Sequence, residues 1–180
     1  MNDKVGESRS IPPLPFPTAG RTVAEQMNAQ DVILLAEDSE DDELLFSYSW
    51  HRARLEGSLR VVRDGDETMA YLQGKGPFAD REKFPLPKAL ILDLVMRKRT
   101  GWEVLQWIRN QPQFDHLQIV VLTGSARAGD VHRAYKMGAN SFLVKPCNQQ
   151  DLLNFASAFS RARPAPTSAI PDAKQSRDGA

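Results

Sequence analysis

Cysteine is almost missing from this chain. Cys147 stands alone among 180 residues, so no internal disulfide can form and a reduced, cytoplasmic setting is expected. No apolar run approaches the roughly 20 residues that cross a bilayer. The opening MNDKVGESRSIPPLPFPTAG has no apolar core of the kind a signal peptide needs. Net charge is missing too. The 23 Lys and Arg balance the 23 Asp and Glu, so no bulk field favours nucleic acid or a membrane, and neither is expected as a partner. His51, His116 and His132 share no metal-ligand spacing with one another or with Cys147. All four read as packing or surface residues.

Proline is present but unevenly placed. Residues 1–28 collect Pro12, Pro13, Pro15, Pro17 and Gly20 without an amphipathic period, and a flexible tail is expected there. Its Pro12–Pro17 stretch reads either as a solvated leader or as a polyproline-type ligand for an aromatic groove. A second tail is expected over 163–180, which opens Arg163-Pro164-Ala165-Pro166. The remainder, 29–162, is the length of one ordinary domain.

Within that domain, strand-like and helix-like segments alternate, the pattern of a parallel α/β sheet. The first strand, Val32–Leu35, runs into Glu37-Asp38. Ser39 followed by Asp42 resembles a capping box, and Leu44, Leu45 and Tyr48 supply an inward stripe for the first helix. Ser58–Val62 reads as strand two, Arg63-Asp64-Gly65 as its exit turn, and Glu67–Gln73 as a short helix stopped by Gly74. Gly74–Pro87, with Pro77, Pro85 and Pro87, is too broken for a helix or a central strand. Ala89–Asp93 is strand three, and Val104, Leu105 and Ile108 mark helix three. Strand four runs through Leu122, and Val131, Ala134 and Tyr135 mark a helix closed near Gly138. Strand five precedes Lys145, and Asn148–Phe159 is the last helix. Five strands and five helices make a flavodoxin-like (βα)5 domain.

The apolar runs end on chemistry. Glu37-Asp38, Asp93, Thr123 and Lys145-Pro146 each follow an expected buried strand. In a parallel sheet those carboxyl ends share one rim, where open α/β folds bind ligands. Three carboxylates held together repel unless a cation joins them. Oxygen-only ligation with room for water and phosphate suits Mg²⁺. The pattern points to Mg²⁺-dependent phosphorylation of an aspartate.

The motifs AEDSEDD, LILDLVMRKRTG, VVLTGSA and SFLVKP resemble those of response-regulator receiver domains from two-component signalling. The spacing supports the resemblance, with 30 positions from Asp93 to Thr123 and 22 from Thr123 to Lys145. AEDSEDDELLF and the long Gly74–Pro87 connection resemble the single-domain regulators paired with phytochrome-type sensor kinases. Met96-Arg97-Lys98-Arg99-Thr100 depart from the Leu-Pro and small turn that many receivers carry before the glycine.

The resemblance implies the sheet order 2-1-3-4-5 and a set of roles. Asp93 accepts the phosphoryl group from a sensor histidine kinase. Asp38 ligates Mg²⁺ with Asp93 and the backbone carbonyl of Val95, while Glu37 acts directly or through a water. Glu40, Asp41 and Asp42 read only as acids favouring a helix N-terminus. Thr123 hydrogen-bonds a phosphoryl oxygen, and Lys145 pairs with Asp93 or its phosphate. Pro146 is a candidate for a cis peptide. Phe142 is either the family's aromatic switch or plain core. Trp102 and Trp107, off the helix-three stripe, are either interface anchors or partly buried edges.

The function expected is a phosphorylation switch without its own output domain, acting through a changed partner surface or a homodimer. The alternative is a receiver-fold scaffold that works without phosphorylation. A haloacid-dehalogenase-like phosphatase needs a D-x-D pair on its first strand, and a flavin module needs a glycine-rich phosphate loop where this chain has acids. Neither fits.

Overall fold

In a computed structural model the described residues are 29–124 and 127–159; the tails expected over 1–28 and 163–180 lie outside them. Five strands form: β1 (Val32–Ala36), β2 (Ser58–Val62), β3 (Ala89–Asp93), β4 (Gln118–Thr123) and β5 (Ser141–Val144). All pair in parallel in the order β2-β1-β3-β4-β5, the flavodoxin-like order. Five helices alternate with them: α1 (Glu40–Arg52), α2 (Gly65–Gln73), α3 (Gly101–Arg109), α4 (Ala128–Lys136) and α5 (Gln149–Phe159).

Strand side chains divide by alternation. Leu34, Leu90, Leu92, Ile119 and Val121 pack in one core layer with Leu72 of α2, Leu105 and Ile108 of α3, and Ala134 of α4. Ile33, Leu35, Ile91, Val120 and Leu122 pack in the other with Phe46 and Trp50 of α1 and Leu152 and Phe155 of α5. Helices on both faces explain why β1 and β3 are buried throughout and apolar up to Asp93, whereas edge strand β5 is half-buried.

Helix α1 corrects one expectation. Leu44, Leu45 and Tyr48 are 69%, 50% and 59% exposed, while Phe46 and Trp50 are 3% and 2% exposed. The inward face is therefore the Phe46/Trp50 line, which continues to buried Ala53 and carries the two stacked rings. Both sets satisfy the i, i+4 rule, and the larger aromatic pair fills the space over the sheet. The capping box is also only half formed. Ser39 Oγ accepts from Asp42 N at 3.3 Å, but Ser39 N donates to Glu37 Oε1 rather than to Asp42.

Helix α2 begins two residues earlier than expected, because Asp64 caps it by accepting from Glu67 N at 2.7 Å. Gly74, left-handed at φ 66°, closes it. The proline-broken connection that follows contains a 3₁₀ turn at Gly76–Phe78. Phe78 and Phe84 pack around Tyr71, and Arg81 donates to the carbonyls of Tyr71, Leu72 and Phe84.

Candidate functional site

The sheet ladder continues past the strand ends and lines up the rim. Glu37 N donates to Val62 O at 3.0 Å, Leu94 N to Leu122 O at 3.2 Å, and Lys145 N to Thr123 O at 2.8 Å. Glu37, Asp93 and Thr123 are thereby held side by side and buried, with Asp38 and Lys145 half-buried beside them. The Lys145–Pro146 peptide bond is cis. Gly101 allows α3 to start directly under this rim. A Cβ there would collide with Asp93 O and lie 2.8 Å from Leu94 Cα, so only glycine fits. Thr100 and Glu103 complete a reciprocal capping box at the same helix end.

Lys145 is the centre of the charge arrangement. Its Nζ lies 2.6 Å from Glu37 Oε2, 2.9 Å from Asp42 Oδ2 and 2.9 Å from Asp93 Oδ2. Burial on its own would lower the lysine's pKa, but the contacts with Asp42, Glu37 and Asp93 outweigh it and hold the pKa above the ordinary value. Burial pushes the Glu37 carboxyl up, and Lys145 offsets this only in part, with the Asp93 charge pushing the same way as burial. Asp93 Oδ1 accepts from Val95 N at 3.1 Å, and the Val95 side chain itself points to solvent.

Glu37, Asp38 and Asp93 each offer a carboxylate oxygen, and these oxygens lie within 4.8 Å of one another. Glu37 Oε2 is buried and lacks a well-directed hydrogen bond, despite its closeness to Lys145. Hard oxygen donors, surplus negative charge and a buried oxygen with unused acceptor capacity together fit a divalent cation.

Several neighbours were not legible beforehand. Asp42 is not merely a helix-terminus acid, because its carboxylate holds Lys145. The basic turn after Asp93 stitches the rim together: Arg97 pairs with Asp38, Lys98 with Asp64 and Arg99 with Asp66. Spacing gives no signal that separates Asp42 from Asp41, or that assigns three bases to three acids. On the β4–β5 side, Phe142 is half-buried and meets Tyr135 edge-on at 6.1 Å. Trp102 lies under the Arg133 guanidinium at 4.2 Å, and Trp107 packs on Phe114, so both indoles are partly buried.

A parallel sheet of this order, with acids, a threonine and a lysine on its carboxyl rim, is the receiver architecture. The chain belongs to the response regulator receiver domain family, whose model matches residues 33–157. Within it, the similarity is to phytochrome-associated regulators. Response regulator Rcp1 of Synechocystis is 35% identical over 137 residues, covering 76% of this chain and 91% of that protein. The bacteriophytochrome response regulator RtBRR superposes with a TM-score of 0.67 at 34% identity, over 79% of this chain and 85% of its own. The Mn²⁺-bound form of Rcp1 gives a TM-score of 0.59 at 35% identity, over 71% and 90%. The chain is thus a receiver domain of two-component signalling. No helix among the described residues is long and apolar enough to cross a membrane.

Proposed function

We propose that this chain is a cytoplasmic, single-domain response regulator that accepts a phosphoryl group on Asp93 from a sensor histidine kinase, and signals through a changed partner or dimer surface. The observation that carries this reading is Lys145 Nζ at 2.9 Å from Asp93 Oδ2, on an ammonium that also touches Glu37 and Asp42, beside the Glu37/Asp38/Asp93 carboxylate cluster. Similarity to regulators named for phytochromes supports a phytochrome-type kinase as the donor.

In the transfer, an oxygen of Asp93 forms a bond to phosphorus as the P–N bond to the kinase histidine breaks, and the electron pair of that bond stays on the imidazole. The product is an acyl phosphate, which water later hydrolyses to inorganic phosphate and free Asp93. Glu37, Asp38, Asp93 and the Val95 carbonyl are the groups that would hold Mg²⁺. When bound there, the ion neutralises charge on the phosphoryl oxygens. The chain's own residues orient and balance the reacting group. Val95 N–H and Lys145 fix the two oxygens of the Asp93 carboxylate. Lys145 can follow the developing negative charge because its ammonium is a compact donor in every direction. Thr123, buried beside Asp93, offers a hydroxyl to a phosphoryl oxygen, and Phe142 with Tyr135 is the surface that responds.

Incubation with acetyl phosphate tests the reading. One phosphoryl group per chain is expected with Mg²⁺ and none with chelator, and Asp93→Asn abolishes uptake. Labelling of Asp93→Asn at the wild-type level, or wild-type labelling indifferent to chelator, overturns the assignment. No labelling of the wild type under any condition, with or without a histidine kinase donor, favours a scaffold role.

A further inference from the structure

We propose that Arg97 is the resident counter-ion of the acidic pocket: it holds Asp38 until a divalent cation takes that carboxylate, and so sets the pocket's affinity for the cation. This rests on reading Glu37, Asp38 and Asp93 as the cation site.

Three hydrogen bonds join the two residues. Arg97 donates from its main-chain N to Asp38 Oδ2 at 3.0 Å and from Nε to the same oxygen at 3.2 Å. Its Nη2 donates to the Asp38 carbonyl at 3.3 Å. A guanidinium in this position does what a dication would do, neutralising Asp38 beside two other acids. Among the described residues, four carboxylates (Glu37, Asp38, Asp42 and Asp93) pair with Lys145 and Arg97. Lys145 holds Glu37, Asp42 and Asp93, and Arg97 holds Asp38.

Arg97 can let go without dismantling the turn that carries it. Lys98 bonds Asp64 at 2.6 Å, Arg99 bonds Asp66, and Gly101 N donates to Leu94 O at 3.1 Å. The Thr100–Glu103 capping box anchors the same segment to α3. The Arg97 side chain is mostly in solvent, at 71% exposure, whereas Asp38 is at 18%. A cation arriving at Asp38 therefore meets a solvent-exposed positive group, which can swing into water while its neighbours hold the backbone. Two like charges on one carboxylate repel, so cation binding and the Arg97–Asp38 pair exclude each other.

The test is Mg²⁺ titration by calorimetry at fixed ionic strength on wild type, Arg97→Gln and Arg99→Gln. Arg99→Gln removes the same charge nearby but leaves Asp38 untouched, so it measures the general field. Arg97→Gln is expected to bind Mg²⁺ about tenfold more tightly than wild type, equivalent to about 1.4 kcal/mol. Arg99→Gln is expected to gain much less, because charges separated through solvent are screened. Melting gives a second readout: Arg97→Gln melts below wild type in chelator, and saturating Mg²⁺ closes or reverses that gap. Equal gains from both variants, or weaker binding by Arg97→Gln, overturn the inference while leaving the cation site standing. Absence of Mg²⁺ binding by all three proteins overturns the cation site itself, and this inference with it.

Discussion

Asp42 and Lys145, 103 positions apart in sequence, meet at 2.9 Å across the rim, joining the first turn of α1 to the end of β5. The same ammonium touches Glu37 and Asp93, so one lysine ties three segments of the chain to one point. The consequences for stability are unequal. Lys145→Met leaves two buried carboxylates facing each other and should cost about 3 kcal/mol or more in metal-free protein. Asp42→Asn removes a partly exposed acid while Glu37 and Asp93 still hold the lysine, and should cost under about 1 kcal/mol. Urea denaturation of both variants in chelator measures the two values. The reverse ranking would show that Asp42, not the buried pair, anchors Lys145.

Gly101 offers a test of how tightly the rim is built. The Cβ of Gly101→Ala would collide with the Asp93 and Leu94 backbone, so α3 must shift away from the site. Destabilisation by about 1–3 kcal/mol is expected, with phosphorylation slowed more than an equally destabilising change elsewhere. Phe114→Leu, in the core distant from the rim, is a suitable comparison. Phosphorylation of Gly101→Ala at the wild-type rate would contradict the close approach.

Cys147 is the group to follow with pH. Burial pushes its thiol up to about 12 from an ordinary 9.0, helped by the Asp151 charge and opposed by Lys145. A raised folded-state value means that the thiol's contribution is fully present below pH 9.0 and is lost as pH climbs through the folded value. Lys145, also raised, acts in the same direction above its ordinary 10.5. The domain should therefore lose stability on the alkaline side, and Cys147→Val should flatten the part of the loss that begins near pH 9. Native protein should resist iodoacetamide at pH 8, and urea-unfolded protein should react readily. Mass spectrometry of the two samples checks this, and rapid native alkylation would refute it.

Output is expected to run from Thr123 toward Phe142 and Tyr135. Phosphorylation, or a beryllofluoride mimic, should change self-association or kinase affinity by a coupling of roughly 1–3 kcal/mol. Thr123→Ala should retain some phosphorylation and lose most of that coupling. Sedimentation and kinase-binding measurements decide it. A variant that couples as strongly as wild type would exclude the route through the threonine.

Read from the chain alone, the strands, their order by resemblance, and the meeting of Glu37, Asp38, Asp93, Thr123 and Lys145 on one rim were all legible. The reason is physical: a buried parallel strand must be an uninterrupted apolar run, and the first polar residues after it must emerge on one rim. The face of α1 was not legible, since Leu44/Tyr48 and Phe46/Trp50 are both i, i+4 pairs. Only the space left over β1 and β3 chose the aromatic pair. Nor could sequence assign Asp42 to Lys145 or Arg97 to Asp38, pairs 103 and 59 positions apart. Ion pairs between separate segments of the chain have no period to read. Their partners are chosen when the sheet register brings the loop ends together, and that register is a property of the whole fold.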